Sequence, residues 1–171
     1  MRREYLIPEK LESKRLLLRT FCETDWEDLH AYYSDSEATK YTFGRALPEG
    51  ETWRVVASMV GHWTLRGYGP YALENKSSGQ VIGLCGLWYP NDRPDPELKW
   101  ALARAFHGKG YASEAARKVK RMAQQYLPDT SLVSLIHPKN TPSINLALAI
   151  GAFYEKEYLF RGENWSIYRY E

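Results

Sequence analysis

A chain of 171 residues, 44% hydrophobic and 26% charged, is long enough to bury one core and too ordinary in composition for a disordered, collagenous or coiled-coil protein. Its 23 basic and 21 acidic side chains leave a net charge of +2, too balanced to signal a direct nucleic-acid partner. The two cysteines, Cys22 and Cys85, form neither a metal-ligand motif nor a disulfide framework.

The N-terminus, Met1 to Pro8, lacks the apolar stretch of a signal peptide, and the longest nearly apolar run, Leu146 to Tyr154, is far shorter than the ~20 residues of a membrane span. A soluble, cytoplasmic protein with no membrane partner is expected. Lys14 to Thr20 reads as the first strand. Thr24-Asp25-Trp26-Glu27 spells a capping box that opens a helix to about Tyr33, and a second helix is expected from Glu49 to about Leu65. Gly69 to Glu74 and Gln80 to Trp88 read as strands joined at Lys76-Ser77-Ser78-Gly79. Three prolines between Tyr89 and Pro96 mark a loop.

Glu97 to Arg104 alternates as a strand, with Leu98, Trp100 and Leu102 on one face and Glu97, Lys99 and Ala101 on the other. After His107-Gly108-Lys109-Gly110, the stripe Ala112, Ala115, Ala116, Val119, Met122, Ala123 and Tyr126 predicts a helix packed on a sheet. Ser131 to Ile136 is a short strand. Thr141 as N-cap and Pro142 as first residue open a helix that stops at Gly151. Strands over Ala152 to Phe160 and Trp165 to Tyr170 close the chain. The order predicts an α/β (α+β) fold: a mixed, mostly antiparallel sheet of six or seven strands flanked by about four helices, in one domain spanning residues 1–171.

Chemistry concentrates where a strand runs through a glycine-bearing turn into a helix, from Trp100-Ala101-Leu102 to His107-Gly108-Lys109-Gly110-Tyr111-Ala112-Ser113. Unpaired N–H groups and the helix dipole make such a turn an anion site. The alternative is a tight turn with no ligand. Neither a Walker loop nor a full dinucleotide fingerprint is present, since Ser113 stands where a third glycine would fall. A second helix start, Asn140-Thr141-Pro142-Ser143, either caps its own helix or flanks the same ligand. The four histidines form no metal motif.

Four segments together resemble the GNAT superfamily of acyl-CoA-dependent N-acetyltransferases, and within it the ribosomal-protein N-terminal acetyltransferases: Lys14 to Arg19, Gly79 to Gly86, His107 to Ala115, and Asn140 to Ser143 with Gly151-Ala152-Phe153. The resemblance implies acetyl-CoA as cosubstrate, no metal, and a primary amine as acceptor, either a small molecule or a peptide or protein N-terminus. It implies that the amides of Gly108 to Ser113 hold the pyrophosphate, that Trp100, Ala101 and Leu102 pair with the pantetheine arm, and that Asn140 and Ser143 contact it farther along. His107 replaces the family's usual first loop residue. Ala147 stands where many members carry a proton-donating tyrosine, so the resemblance leaves Ser143, or a water it holds, as the substitute donor. Glu97 and Glu157 are the candidate bases for the amine. A non-catalytic acyl-CoA-binding domain is the alternative, a nucleotide-binding domain the third. A monomer or homodimer is expected. Six acidic residues between Glu23 and Glu37 read either as a solvated helix face with dipole-favouring acids in its first turn or as a cluster that attracts a cationic acceptor.

Overall fold

The computed structural model describes residues 4–171. Its strands are β1 (Lys10–Glu12), β2 (Leu16–Arg19), β3 (Pro70–Asn75), β4 (Val81–Trp88), β5 (Glu97–Leu102), β6 (Val133–Ile136), β7 (Ala152–Phe160) and β8 (Glu163–Tyr170). The helices are α1 (Asp25–Tyr33), α2 (Ser36–Thr39), α3 (Glu49–Arg66), α4 (Tyr111–Tyr126) and α5 (Thr141–Ala149), with a 3-10 turn at Arg104–Phe106. The eight strands form one sheet in the order β1-β2-β3-β4-β5-β6-β8-β7. Every neighbouring pair is antiparallel except β5 and β6.

Both faces of the sheet are covered, which explains the unbroken apolar run of β4. The buried Ala115, Ala116 and Val119 bring α4 close to one face, over Leu73, Ile82 and Leu87. Leu29, Val56 and Met59 from α1 and α3 cover Ala72, Leu84 and Ala101 on the other. Beyond β6 a smaller cluster of Val133, Leu135, Phe160, Trp165 and Ile167 holds the last hairpin.

Several local expectations need correction. Thr24 makes no side-chain cap; Asp25, 4% exposed, instead accepts from the Cys22 amide and from both terminal nitrogens of Arg19. The expected first strand corresponds to β2, and an additional strand, β1, precedes it, because the backbone reverses at Ser13, whose amide donates to the Leu16 carbonyl. Five α-helices replace four, since Asp35 caps the short α2 through the amides of Glu37 and Ala38. Asn140, not Thr141, caps α5, its side-chain oxygen accepting from the Ser143 amide at 3.4 Å.

The feature that creates a site is the parallel seam. Strands β5 and β6 share one ladder pair, Glu97 with Val133, reinforced by the Ser134 hydroxyl donating to the Leu98 carbonyl at 2.6 Å. Past that point they diverge. Leu98 turns its carbonyl toward β6, while the Ala103 amide pairs with Ile82 on the other side. By the alternation of a strand, Trp100 therefore turns its N–H and C=O into the opening.

Candidate active site

Two hollows meet where the sheet splits. The larger, about 810 Å³, is bordered by β5, the turn from Arg104 to Gly110, the start of α4 and the start of α5. The other, about 410 Å³, lies between α3, β5, β6 and the β7–β8 turn. Tyr41, Thr42, Trp100, Asn140 and Ser143 line both. These five residues mark the passage from one hollow to the other.

The larger hollow has the chemistry of an anion cradle. Gly108 and Gly110 sit at φ +73° and +80°, a left-handed region that side chains rarely adopt. Amides from Gly108 to Ser113 find no backbone or side-chain acceptor among the described residues, and the first bond of the helix is Glu114 N–H to the Gly110 carbonyl. Arg15 braces the turn from behind. It donates to the Lys109 carbonyl at 2.9 Å, pairs with Glu114 at 2.7 Å and lies 4.1 Å from the centre of the Tyr111 ring. Burial opposes charge on Glu114, but hydrogen bonds from Ser13 and Arg15 hold its carboxyl below the usual range.

His107 lines this hollow yet is tied to the strand, donating through Nε2 to the Leu102 carbonyl at 2.9 Å. Trp100, Ala101, Leu102, Gly108, Gly110, Tyr111, Ala112 and Ser113 line the hollow as well, whereas the Lys109 side chain turns aside over Phe106. Of the basic run after Arg104, Arg117 and Lys120 serve the C-terminal carbonyls of α5, Ala149 and Ile150. Lys40 and Lys139 join the rim from distant segments, a convergence no local pattern reveals.

Ser143 stands at the passage. Its Oγ accepts from the Trp100 indole Nε1 at 3.3 Å, which leaves the hydroxyl proton free to donate elsewhere. Ala147 is fully buried in the core beneath α5. Glu97, 8% exposed, lines the smaller hollow and accepts from Arg93 at 3.1 Å. Glu157 lies exposed on β7, contacts Asn164 and lines neither hollow. The sequence patterns missed Tyr41, stacked on His137 at 4.7 Å, together with Arg54, Lys99 and Arg161.

The acidic stretch does not face the smaller hollow. Asp25 pairs with Arg19, Asp28 accepts from the Val81 amide, and Asp35 pairs with Arg104; only Glu37 reaches a hollow, and it is the larger one. Among the described residues no three of His, Cys, Asp or Glu could hold a metal ion, and no helix is long and apolar enough to cross a membrane.

Comparison with known proteins follows this geometry. Residues 15–152 match the acetyltransferase (GNAT) domain family. An uncharacterised N-acetyltransferase of Bacillus licheniformis is 31% identical over 155 residues, covering 90% of this chain and 86% of that protein. A crystal structure of an acetyltransferase from Agrobacterium tumefaciens superposes with a TM-score of 0.86 at 26% identity, covering 100% of this chain and 99% of the other. The ribosomal-protein α-N-acetyltransferase RimL in complex with coenzyme A shares the fold, with a TM-score of 0.74 at 18% identity over 95% and 96% of the two chains.

Proposed function

The chain belongs to the GNAT acetyltransferase family and is an acyltransferase, and on that premise we propose that it moves an acetyl group from acetyl-CoA to a primary amine by direct attack across the passage between the two hollows. The observation that carries this reading is Ser143, fixed by Trp100 at a point that borders both hollows. The likeness to RimL is one of fold, so the acceptor is stated here as a peptide or protein N-terminus or a small amine. The reading also puts the reaction in the cytoplasm.

Acetyl-CoA, when bound, supplies the activated thioester. The residues present suit such a ligand: the amides of Gly108 to Ser113 at the start of α4 are donors for its pyrophosphate, and Lys40, Arg104 and Lys139 line the same hollow. The main chain of Trp100 offers one donor and one acceptor to the amides of the pantetheine arm. Asn140 commits its side-chain oxygen to capping α5 and keeps its amide N–H groups for the same arm.

In the smaller hollow Glu97 accepts the proton of the incoming amine. An α-amino group, with a pKa of about 7.7–8.0, needs little help near neutrality, whereas a lysine-type amine near 10.4 depends on that base. The Ser143 hydroxyl, or a water it holds, hydrogen-bonds the departing thiolate. The proton taken from the amine reaches the sulfur by way of water, so that serine and glutamate both return to their starting forms. Glu157 has no part in this scheme.

Two measurements test it. Titration calorimetry should show CoA binding without comparable binding of NAD or ATP, and a free-thiol assay over a panel of amines should show acetyl-CoA-dependent turnover. Glu97→Gln should lower kcat/KM by about 100-fold or more, the usual range for a lost general base. CoA binding without turnover of any amine would leave only an acyl-CoA-binding domain.

A further inference from the structure

Four cations enter the smaller hollow from four segments: Arg54 from α3, Arg93 from the proline-rich loop, Lys99 from β5 and Arg161 from the β7–β8 turn. Glu97 is the single carboxylate among the lining residues. Arg93 is already paired, with Glu97 at 3.1 Å and Asp92 at 3.0 Å. Arg54, Lys99 and Arg161 have no ion-pair partner among the described residues.

Lys99 is the most informative of the three. Its ammonium lies 4.9 Å from the centre of the Trp88 ring, with no hydrogen-bond acceptor among the described residues. Burial lowers its pKa, Arg93 and Arg161 lower it further, and only Glu97 opposes them. A half-buried ammonium with no carboxylate within ion-pair distance is a costly thing for a fold to keep.

Arg161 adds a second sign of the same demand. It occupies φ +52°, the one non-glycine residue with positive φ among the described residues, in a two-residue turn with Gly162. Such turns favour asparagine, aspartate or glycine at this position. The arginine kept here lays its guanidinium 4.8 Å from the centre of the Phe160 ring and donates across the hollow to the Thr42 carbonyl.

Resting on the acetyl-transfer reading above, we propose that the acceptor is a primary amine that carries an anionic group, a carboxylate or a phosphate, received by Lys99, Arg54 and Arg161 while its amine faces Glu97. Glu97 and Lys99 lie two residues apart on one face of β5, a rise of about 6–7 Å. The amine and the anion of the substrate are therefore separated by a short spacer. A polyamine or a lysine-rich N-terminus would meet like charge instead. This replaces the expectation of a cationic acceptor.

The test uses the charge series Ala-Asp-amide, Ala-Asn-amide and Ala-Lys-amide, with Ala-phosphoserine-amide as the phosphate arm and 4-aminobutyrate against butylamine as the small-molecule arm. Free-thiol release gives kcat/KM, and calorimetry on the CoA-loaded protein gives affinity independently of turnover. An anionic member should exceed its neutral partner at least tenfold, and the Lys peptide should be poorest. Lys99→Met should cut the anionic-to-neutral ratio at least fivefold, Lys99→Arg should recover it in part, and Arg161→Asn, which suits the turn, should also reduce it. Preference confined to the peptides, or to 4-aminobutyrate, identifies the source of the anion. Turnover and affinity that ignore charge overturn the proposal while acetyl transfer stands. Tighter binding of the anionic members without turnover upholds it while acetyl transfer falls.

Discussion

Replacing Gly110 by valine tests the anion cradle at its most constrained point. Gly110 holds φ +80°, and a Cβ placed there would lie 3.5 Å from Arg15 Nη2, an ordinary contact. The penalty is therefore one of backbone conformation, about 1–2 kcal/mol for an L-residue in the left-handed region. In a chain of this size each kcal/mol lowers Tm by roughly 2–4 °C. Where the free turn can relieve that strain by rotating away, Tm is spared and the ligand must restore the conformation instead, which raises the acetyl-CoA dissociation constant by up to about 5- to 30-fold. Gly79→Val is the control: Gly79 has φ +72°, nothing within 4 Å of its Cβ position, and a place in the β3–β4 turn away from both hollows. Calorimetry and thermal unfolding on both variants separate the effects. A smaller Tm loss than at Gly79, with a raised Kd only for the Gly110 variant, is expected; a folded Gly110→Val protein that spares Tm and yet keeps its affinity unchanged refutes the cradle.

Ser143→Ala should lower kcat more than it raises KM for acetyl-CoA, and Trp100→Phe, which removes the indole donor, should act in the same direction more weakly; steady-state kinetics decide. Asp25→Ala leaves Arg19 half-buried with only Glu74 as counter-charge, and should cost on the order of 3 kcal/mol in urea unfolding. His62 donates from Nδ1 to the Tyr68 carbonyl and accepts at Nε2 from the Tyr89 amide, so the fold requires the neutral ring. Burial lowers its pKa below the ordinary 6.5, so its contribution is full above that pH and is lost as pH falls through the depressed value. Tm should drop from pH 7 to pH 5, and a His62→Asn variant should show a shallower drop.

Elements with strong periodicity were legible in the sequence. The stripe from Ala115 to Ala123 corresponds to α4 because it arises from burial on one face, and the alternation from Glu97 to Leu102 corresponds to β5 although both faces of that strand are covered. Ends and caps were less legible. Asp25 had a more demanding partner in Arg19 than any cap could offer, and the short β1 and α2 carry too few apolar residues to announce themselves. The larger hollow follows from a contiguous motif, His107 to Ser113. The smaller hollow does not, since Arg54, Lys99 and Arg161 converge only once α3, β5 and the last hairpin are folded together.

The near-absence of a ladder between β5 and β6 has a mechanical consequence. The first five strands and the last three are bridged within the sheet by a single residue pair and one serine hydroxyl. On the reading proposed above, an acyl donor lodged in the gap would substitute for the missing rungs and serve as a strut of the molecule as well as a reactant. Mass action would then couple the rigidity of the β6–β8 half to the supply of that donor. Slow amide exchange in β6 should report how loaded the enzyme is.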